Sequence, residues 1–231
     1  GAIYLHRGKS YLIKELNIKG RVALAKQVRV GYFTQPKEIT EIKILETKKE
    51  KIPNNIPLFW GKVEVSTNVV AFQKRKVFSG ETLGVEKLSL PPQIFQTEGL
   101  WFCIPKEIIS KLKLNDMEVA GGIHGIEHGA ISLLPVYALC DRRDIGGVST
   151  PHHYQLKEIA IFIYDGVEGG IGISKRGYEV FKEHMVTTLE LIEGCSCEEG
   201  CPSCIHSPKC GNWNEPLNKK SAIKILKEII G

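Results

Sequence analysis

The segment from residue 195 to residue 210 constrains this chain more than any other part of it. Five of the seven cysteines fall there, Cys195, Cys197, Cys201, Cys204 and Cys210, spaced C-x-C-x3-C-x2-C-x5-C. In a reduced compartment they do not pair as disulfides. A redox C-x-x-C opens a helix after a strand and does not bring three more cysteines. A metal accounts for the crowding, because Zn²⁺ takes four tetrahedral ligands and holds thiols as thiolates. Pro202 stiffens the turn between Cys201 and Cys204, and Gly200 and Gly211 permit the tight backbone that points amides at sulfur. An iron–sulfur cluster uses the same ligand type, but nothing here suggests redox work, so zinc is the expected ion. Five thiols compete for four positions. Cys201 and Cys204 are the firmest and Cys197 follows. The fourth is Cys195 or Cys210, with His206 as a distant substitute. Four protein ligands leave no open position, so a structural site is expected rather than a catalytic one.

The expectation of a reduced, cytoplasmic setting has its own basis. No apolar run approaches the roughly 20 residues of a membrane helix, and the first residues, GAIYLHRGKS, lack the apolar core of a signal peptide. A start without Met suggests a piece of a longer protein. The net charge of +5 is unevenly spread: residues 1–90 carry 17 Lys and Arg against 8 Asp and Glu, the remainder 14 against 18. An anionic partner such as nucleic acid is therefore expected on the N-terminal part, with a solvated Lys/Glu-rich surface as the plain alternative.

Periodicity divides the chain near residue 90. Residues 2–82 alternate polar with β-branched or aromatic side chains, with a turn signal at Asn17–Gly20 and a break at Pro53-Asn54-Asn55; this predicts a small antiparallel barrel or sheet. Gly80–Pro92 reads as a linker. FQTEGLWFCI predicts a strand, and PKEIISKL a short helix with Pro105 at its start. Val119, Ile123, Ile126, Ala130, Leu133 and Tyr137 mark one face of a helix. KEIAIFIYD reads as a buried strand. Tyr178, Phe181, Met185, Leu189 and Ile192 mark one amphipathic helix beginning near Ile173, and a last helix spans about 218–230. The expected architecture is α+β: a small basic β domain over 1–90, then a mixed α/β domain over 91–231 that carries the four-cysteine zinc loop.

Three further stretches invite chemistry. His124-Gly-Ile-Glu127-His128 has the H-x-x-E-H form of an inverted zinc peptidase, in which two histidines on one helix face bind the metal and the glutamate acts as base. Glu190, Glu193, Glu198 or Glu199 would have to supply the third ligand. The plainer reading is a hydrogen-bonded pair on a core helix, closely packed because glycines surround it. Arg142 and Arg143, in CDRRDIGG, either meet phosphate or form an Asp/Arg ion-pair knot that closes a turn. The glycines after Tyr164-Asp165 match neither phosphate-loop pattern, and Asp165 and Glu168 would repel an anion, so a structural turn is expected. The chain has no Walker A motif and no DExH-like box, so it cannot by itself hydrolyse a nucleotide in the P-loop manner.

Four blocks together carry a resemblance: AIYLHRGKSYLIKEL, HGIEHGAISLLPVYALCDRRDIGG, IYDGVEGGIG and CSCEEGCPSCIHSPKCGNWNEPLNK. In this order they resemble the C-terminal region of the MrfA-type superfamily-two DNA repair helicases, with their zinc-binding domain. The resemblance implies that Cys195, Cys197, Cys201 and Cys204 match the family's zinc block and that Cys210 lies in its SPKCGN extension. It implies a parent protein that binds ATP, unwinds DNA with 3′→5′ polarity and acts in repair, including of mitomycin-type damage. This chain, which lacks the motor, would be an accessory module that binds or guides single-stranded or forked DNA and braces motor domains of the same polypeptide. It implies no catalytic role for His124 or His128. The rivals are a metal-dependent hydrolase built on H-x-x-E-H, expected to hold two metals rather than one, and a protein-interaction module that does not touch DNA. For DNA contact the candidates are Lys74-Arg75-Lys76, the densest basic run, with Phe72 and Phe78 nearby to stack on unpaired bases, and then Arg142 and Arg143.

Overall fold

The computed structural model describes residues 1–231. The chain divides into two compact units, residues 1–39 with 67–92, and residues 40–66 with 93–231. Residues 40–66, which periodicity groups with the basic β segment, thus belong to the second unit.

The first unit opens with an antiparallel meander, β1 (Ile3–His6), β2 (Lys9–Asn17) and β3 (Val22–Val28). It is an open three-stranded sheet, not a closed barrel. The first hairpin turns on Arg7 and Gly8, with φ of 48° and 73°, and His6 pairs with Lys9. Two consecutive left-handed residues let a two-residue turn follow the strand twist, and Gly8 adopts that conformation without Cβ strain. Two long strands, β4 (Tyr32–Lys51) and β5 (Leu58–Lys76), contribute residues 32–39 and 67–76 to this unit. β6 (Thr82–Lys87) returns antiparallel along β5, from Ala71↔Lys87 to Arg75↔Thr82. The stretch that reads as a linker therefore contains a strand. β6 is short, contains Gly84 and is mostly exposed, so it has no buried stripe for a periodicity argument to detect.

In the second unit the strand order is β4-β5-β7-β9-β8, where β7 is Gln93–Ile104, β8 is Ile145–Thr150 and β9 is Ile159–Asp165. β9 runs antiparallel to both of its neighbours. Leu100, Phe102 and Ile104 of β7 and Ile159, Ile161 and Ile163 of β9 enter the main core, while Trp101, Ala160 and Phe162 enter a second cluster with Ile42, Val63 and Val65. Burial of alternate side chains in two different clusters is why both strands read as continuous apolar runs.

Five helices complete the unit: α1 (Lys106–Leu112), α2 (Asp116–Ala138), α3 (Ile173–Glu179), α4 (Phe181–Gly194) and α5 (Lys219–Ile230). α2 starts at a capping box in which Asn115 and Glu118 each accept the other's backbone amide; this satisfies two donors that a helix end leaves free. Val119, Ile123, Ile126 and Ala130 are buried as expected, but Ile131 and Leu134 are buried too, with Leu133 only half-buried. α2 also buries Glu127, His128 and four glycines, so its apolar stripe is wider than one face. The single helix expected from Ile173 is two, because Val180 leaves helical geometry at φ −96°, ψ 17°. The Gly-rich stretch after β9 folds around its own carboxylate: Asp165 accepts the amides of Ile171, Gly172, Ile173 and Ser174 at 2.6–3.2 Å. That is a structural turn, and its amides are already taken. No helix is long and apolar enough to cross a membrane.

Candidate metal centre

Residues 195–218 connect α4 to α5 without helix or strand. Both ends of this segment are fixed. Asn218 caps α5 by accepting the Ser221 amide at 2.9 Å, and its own amide donates to the Gly121 carbonyl of α2 at 3.0 Å. Within the segment, the amides of Cys204 and His206 both donate to the Cys201 carbonyl at 3.0 Å, closing the C-P-S-C turn. Ile205 is fully buried in the main core. Gly200 sits at φ 119°, where a Cβ would come within 2.6 Å of Ile205, so only glycine fits.

This turn gathers the sulfurs of Cys195, Cys197, Cys201 and Cys204 within 4.8 Å of one another. Cys195 to Cys201 and Cys197 to Cys204 are each 3.5 Å, and Cys201 to Cys204 is 3.9 Å. Four sulfurs tetrahedrally placed about 2.3 Å from one zinc lie about 3.8 Å apart, so the set fits a four-thiolate ion. The Cys201 amide points at the Cys204 sulfur at 3.4 Å. As bare thiols Cys201 and Cys204 are mismatched. An amide from Ser203 and neighbouring thiols hold Cys201 down at about 7, while burial pushes Cys204 up to about 12. A cation is what ionises all four together.

One residue that the sequence reading passed over belongs to this centre. Lys219, at the start of α5, is 6% exposed. Its ammonium donates to the carbonyls of Cys195 and Cys197 at 2.5 and 2.6 Å, and it lies 3.5 Å from the Cys197 sulfur. It thus fixes the backbone carrying two of the four sulfurs and places a positive charge beside them. Its only mark in the sequence is its place as the last residue of the CSCEEGCPSCIHSPKCGNWNEPLNK block.

The structure separates Cys210 from the other four. Its sulfur lies with the rings of His124 and His128, three ligating atoms within 4.8 Å of one another. His124 Nε2 is 3.5 Å from Cys210 Sγ, and the Asn214 amide donates to that sulfur at 3.2 Å. Burial disfavours both charged forms, yet the contact between them prevails: His124 is raised to about 9 and Cys210 lowered to about 6. His124 and His128 are also held by backbone, Nδ1 to the Pro216 carbonyl at 2.7 Å and Nδ1 to the Ile205 carbonyl at 2.6 Å. Glu127, the base of the hydrolase reading, turns towards β8, where a Cβ on Gly147 would meet its Oε1 at 2.9 Å.

The basic candidates divide similarly. Lys74 forms an ion pair with Glu86 across the β5–β6 hairpin, Lys76 lies 3.8 Å from Glu81, and Arg75 Nε donates to the Gly80 carbonyl at 2.8 Å. Phe72 is buried and Phe78 fully exposed. Arg142 donates to Ser132 Oγ at 3.1 Å, and Arg143 is exposed. Their turn is closed by a capping box between Asp141 and Asp144, not by Asp–Arg pairs.

Comparison with known proteins agrees with this geometry. Residues 126–205 match the MrfA Zn-binding domain. The uncharacterized ATP-dependent helicase YprA of Bacillus subtilis is 32% identical over 206 residues, covering 88% of this chain and 27% of the relative. The uncharacterized protein MJ1572.1 of Methanocaldococcus jannaschii is 42% identical over 111 residues, covering 47% of this chain and 99% of the relative. The crystal structure of the DUF1998 helicase MrfA bound to DNA superposes with a TM-score of 0.66 at 28% identity, covering 98% of this chain and 29% of that one. Residues 126–205 thus form a MrfA Zn-binding domain, set in a mixed α/β fold similar to that of MrfA. The chain spans about a quarter of the length of the helicases it matches.

Proposed function

We propose that this chain is the accessory zinc-binding module of an ATP-dependent DNA helicase acting in repair. The observation that carries the reading is the four-sulfur set: it falls inside the segment that matches the MrfA Zn-binding domain, on a fold shared with a helicase crystallised on DNA. Cys195, Cys197, Cys201 and Cys204 hold the zinc, and Lys219 orients and compensates them. Zinc supplies a crosslink between the end of α4 and the turn at Cys201–Cys204, which this polar stretch cannot form alone, and Lys219 ties that knot to the start of α5. ATP binding and hydrolysis belong to motor domains of the same polypeptide, and the chain by itself should show no ATPase. The setting is cytoplasmic.

The DNA contact lies on the first unit. Over residues 1–31 the meander carries Arg7, Lys9, Lys14, Lys19, Arg21, Lys26 and Arg29 against Glu15 alone. All seven are exposed, whereas Lys74 and Lys76 already have acidic partners. The same sheet exposes Tyr4, Leu5, Leu16, Val22 and Leu24, an apolar surface that suits the motor domains it braces. Single-stranded or forked DNA should bind weakly, with little dependence on sequence and steep weakening by salt. A fluorescence-anisotropy titration across a salt series tests this. Reversing Lys9, Lys14 and Lys26 to Glu should abolish binding, and reversing Lys74, Arg75 and Lys76 should reduce it less. Wild-type protein that binds no DNA at low salt would favour the protein-interaction module instead. Unchanged affinity in both variants would move the contact to Arg142 and Arg143.

A further inference from the structure

The cluster of His124, His128 and Cys210 stands apart from the four-sulfur set, and two of its members lie outside the matched segment 126–205. Its geometry goes beyond a pair of satisfied core histidines. Carbonyl oxygens only accept, so the Pro216 and Ile205 carbonyls oblige both Nδ1 atoms to carry their protons. That leaves Nε2 of each ring as the position that accepts a proton or a metal. Histidines that ligate a metal are characteristically held this way, with the other ring nitrogen donating to a backbone carbonyl. The i, i+4 spacing on α2 puts the two rings side by side, with centroids 4.3 Å apart. The loop delivers Cys210 to them, and the Asn214 amide donates to its sulfur much as the Cys201 amide does to Cys204 in the other set. One thiol proton can serve at most one of two Nε2 lone pairs, whereas one divalent ion serves all three atoms.

We propose that His124 Nε2, His128 Nε2 and Cys210 Sγ form a second metal site, for a borderline divalent ion of the Zn²⁺ class, with a fourth position open to water or an exogenous ligand. Two imidazoles and a thiolate suit zinc and disfavour the hard cations calcium and magnesium. On binding, the metal takes the place of the proton shared by His124 and Cys210, and that proton leaves to solvent. The bound ion ties residues 205–217 to α2, from an anchor distinct from the four-sulfur set. A count of two metals per chain would then not imply the hydrolase, because the third ligand is a thiol and Glu127 is turned towards β8.

Cadmium-113 NMR of the 231-residue chain reconstituted with cadmium tests the site without relying on a variant. The wild type should give two resonances. One should correlate only with cysteine β-protons, and the other with ring protons of two histidines and β-protons of one cysteine. Zinc content should fall from about two per chain to about one in Cys210→Ser, while the all-cysteine resonance persists. A single, all-sulfur resonance at saturating cadmium would overturn the proposal and leave the cluster as a metal-free thiolate–imidazolium pair. A second resonance without histidine correlations, or one that survives Cys210→Ser, would overturn it equally. Cys201→Ser should lose the all-sulfur resonance and keep the mixed one, so the two sites fail separately.

Discussion

At the scale of single residues, buried charges and their partners decide most. His184 on α4 is fully buried; its Nε2 donates to the Ala130 carbonyl at 2.8 Å and its Nδ1 has no partner. A second proton would be a buried donor with nothing to meet, and burial lowers this histidine to about 4. The unfolded chain, with an ordinary histidine near 6.5, therefore takes up the proton first as pH falls. Stability from this group is complete above about 6.5 and drains between there and about 4, by roughly 2 kcal/mol from pH 7 to pH 5. Urea unfolding at the two pH values should show wild type losing that much more than His184→Gln; equal losses would contradict the assignment. Lys219 makes a second case. Lys219→Met keeps the aliphatic stem but removes the donor to Cys195 and Cys197. Chelator competition should show zinc held about 10- to 100-fold more weakly, whereas unchanged affinity would reduce Lys219 to a packing residue.

At the scale of elements, α2 organises the second unit through what it lacks. A Cβ on Gly122 would lie 2.9 Å from Ile225 Cδ1 of α5, and one on Gly121 2.9 Å from the Asn218 amide. The absent side chains let α5 and its cap lie directly on α2. Gly122→Val should therefore cost about 1–3 kcal/mol through overpacking, read as a lower urea midpoint, while Gly194→Ala, with open space around it, should be tolerated. The sequence carried the existence of this helix plainly, since Val119, Ile123, Ile126 and Ala130 keep helical spacing and are buried. It did not carry the exchange of Leu133 for Leu134, because a helix buried on more than one side has no single stripe. β8 was equally hidden: IGGVST has two glycines and no alternation, and pairing with β9 makes it a strand. The break at Val180 left no mark either, because Tyr178, Phe181 and Met185 stay in helical phase across it.

At the scale of the whole molecule, the cysteine spacing made the metal legible but not the division of labour among the thiols. Cys195 to Cys204 form a local pattern, and local patterns survive in sequence. The neighbours of Cys210 lie 82 and 86 residues earlier, a separation only the fold closes. The positive charge of the N-terminal part was likewise plain, but its densest run is already engaged with Glu86 and Glu81. The central claim is that Cys195, Cys197, Cys201 and Cys204 hold a structural zinc on which segment 195–218 depends. Its most direct test is the zinc content and trypsin resistance of the chain, prepared without chelator, beside its Cys201→Ser, Cys204→Ser and double variants. Each variant should lose the four-thiolate zinc and be cut between α4 and α5, or fail to stay soluble. A double variant without that zinc, yet as soluble and as resistant as the wild type, would contradict it.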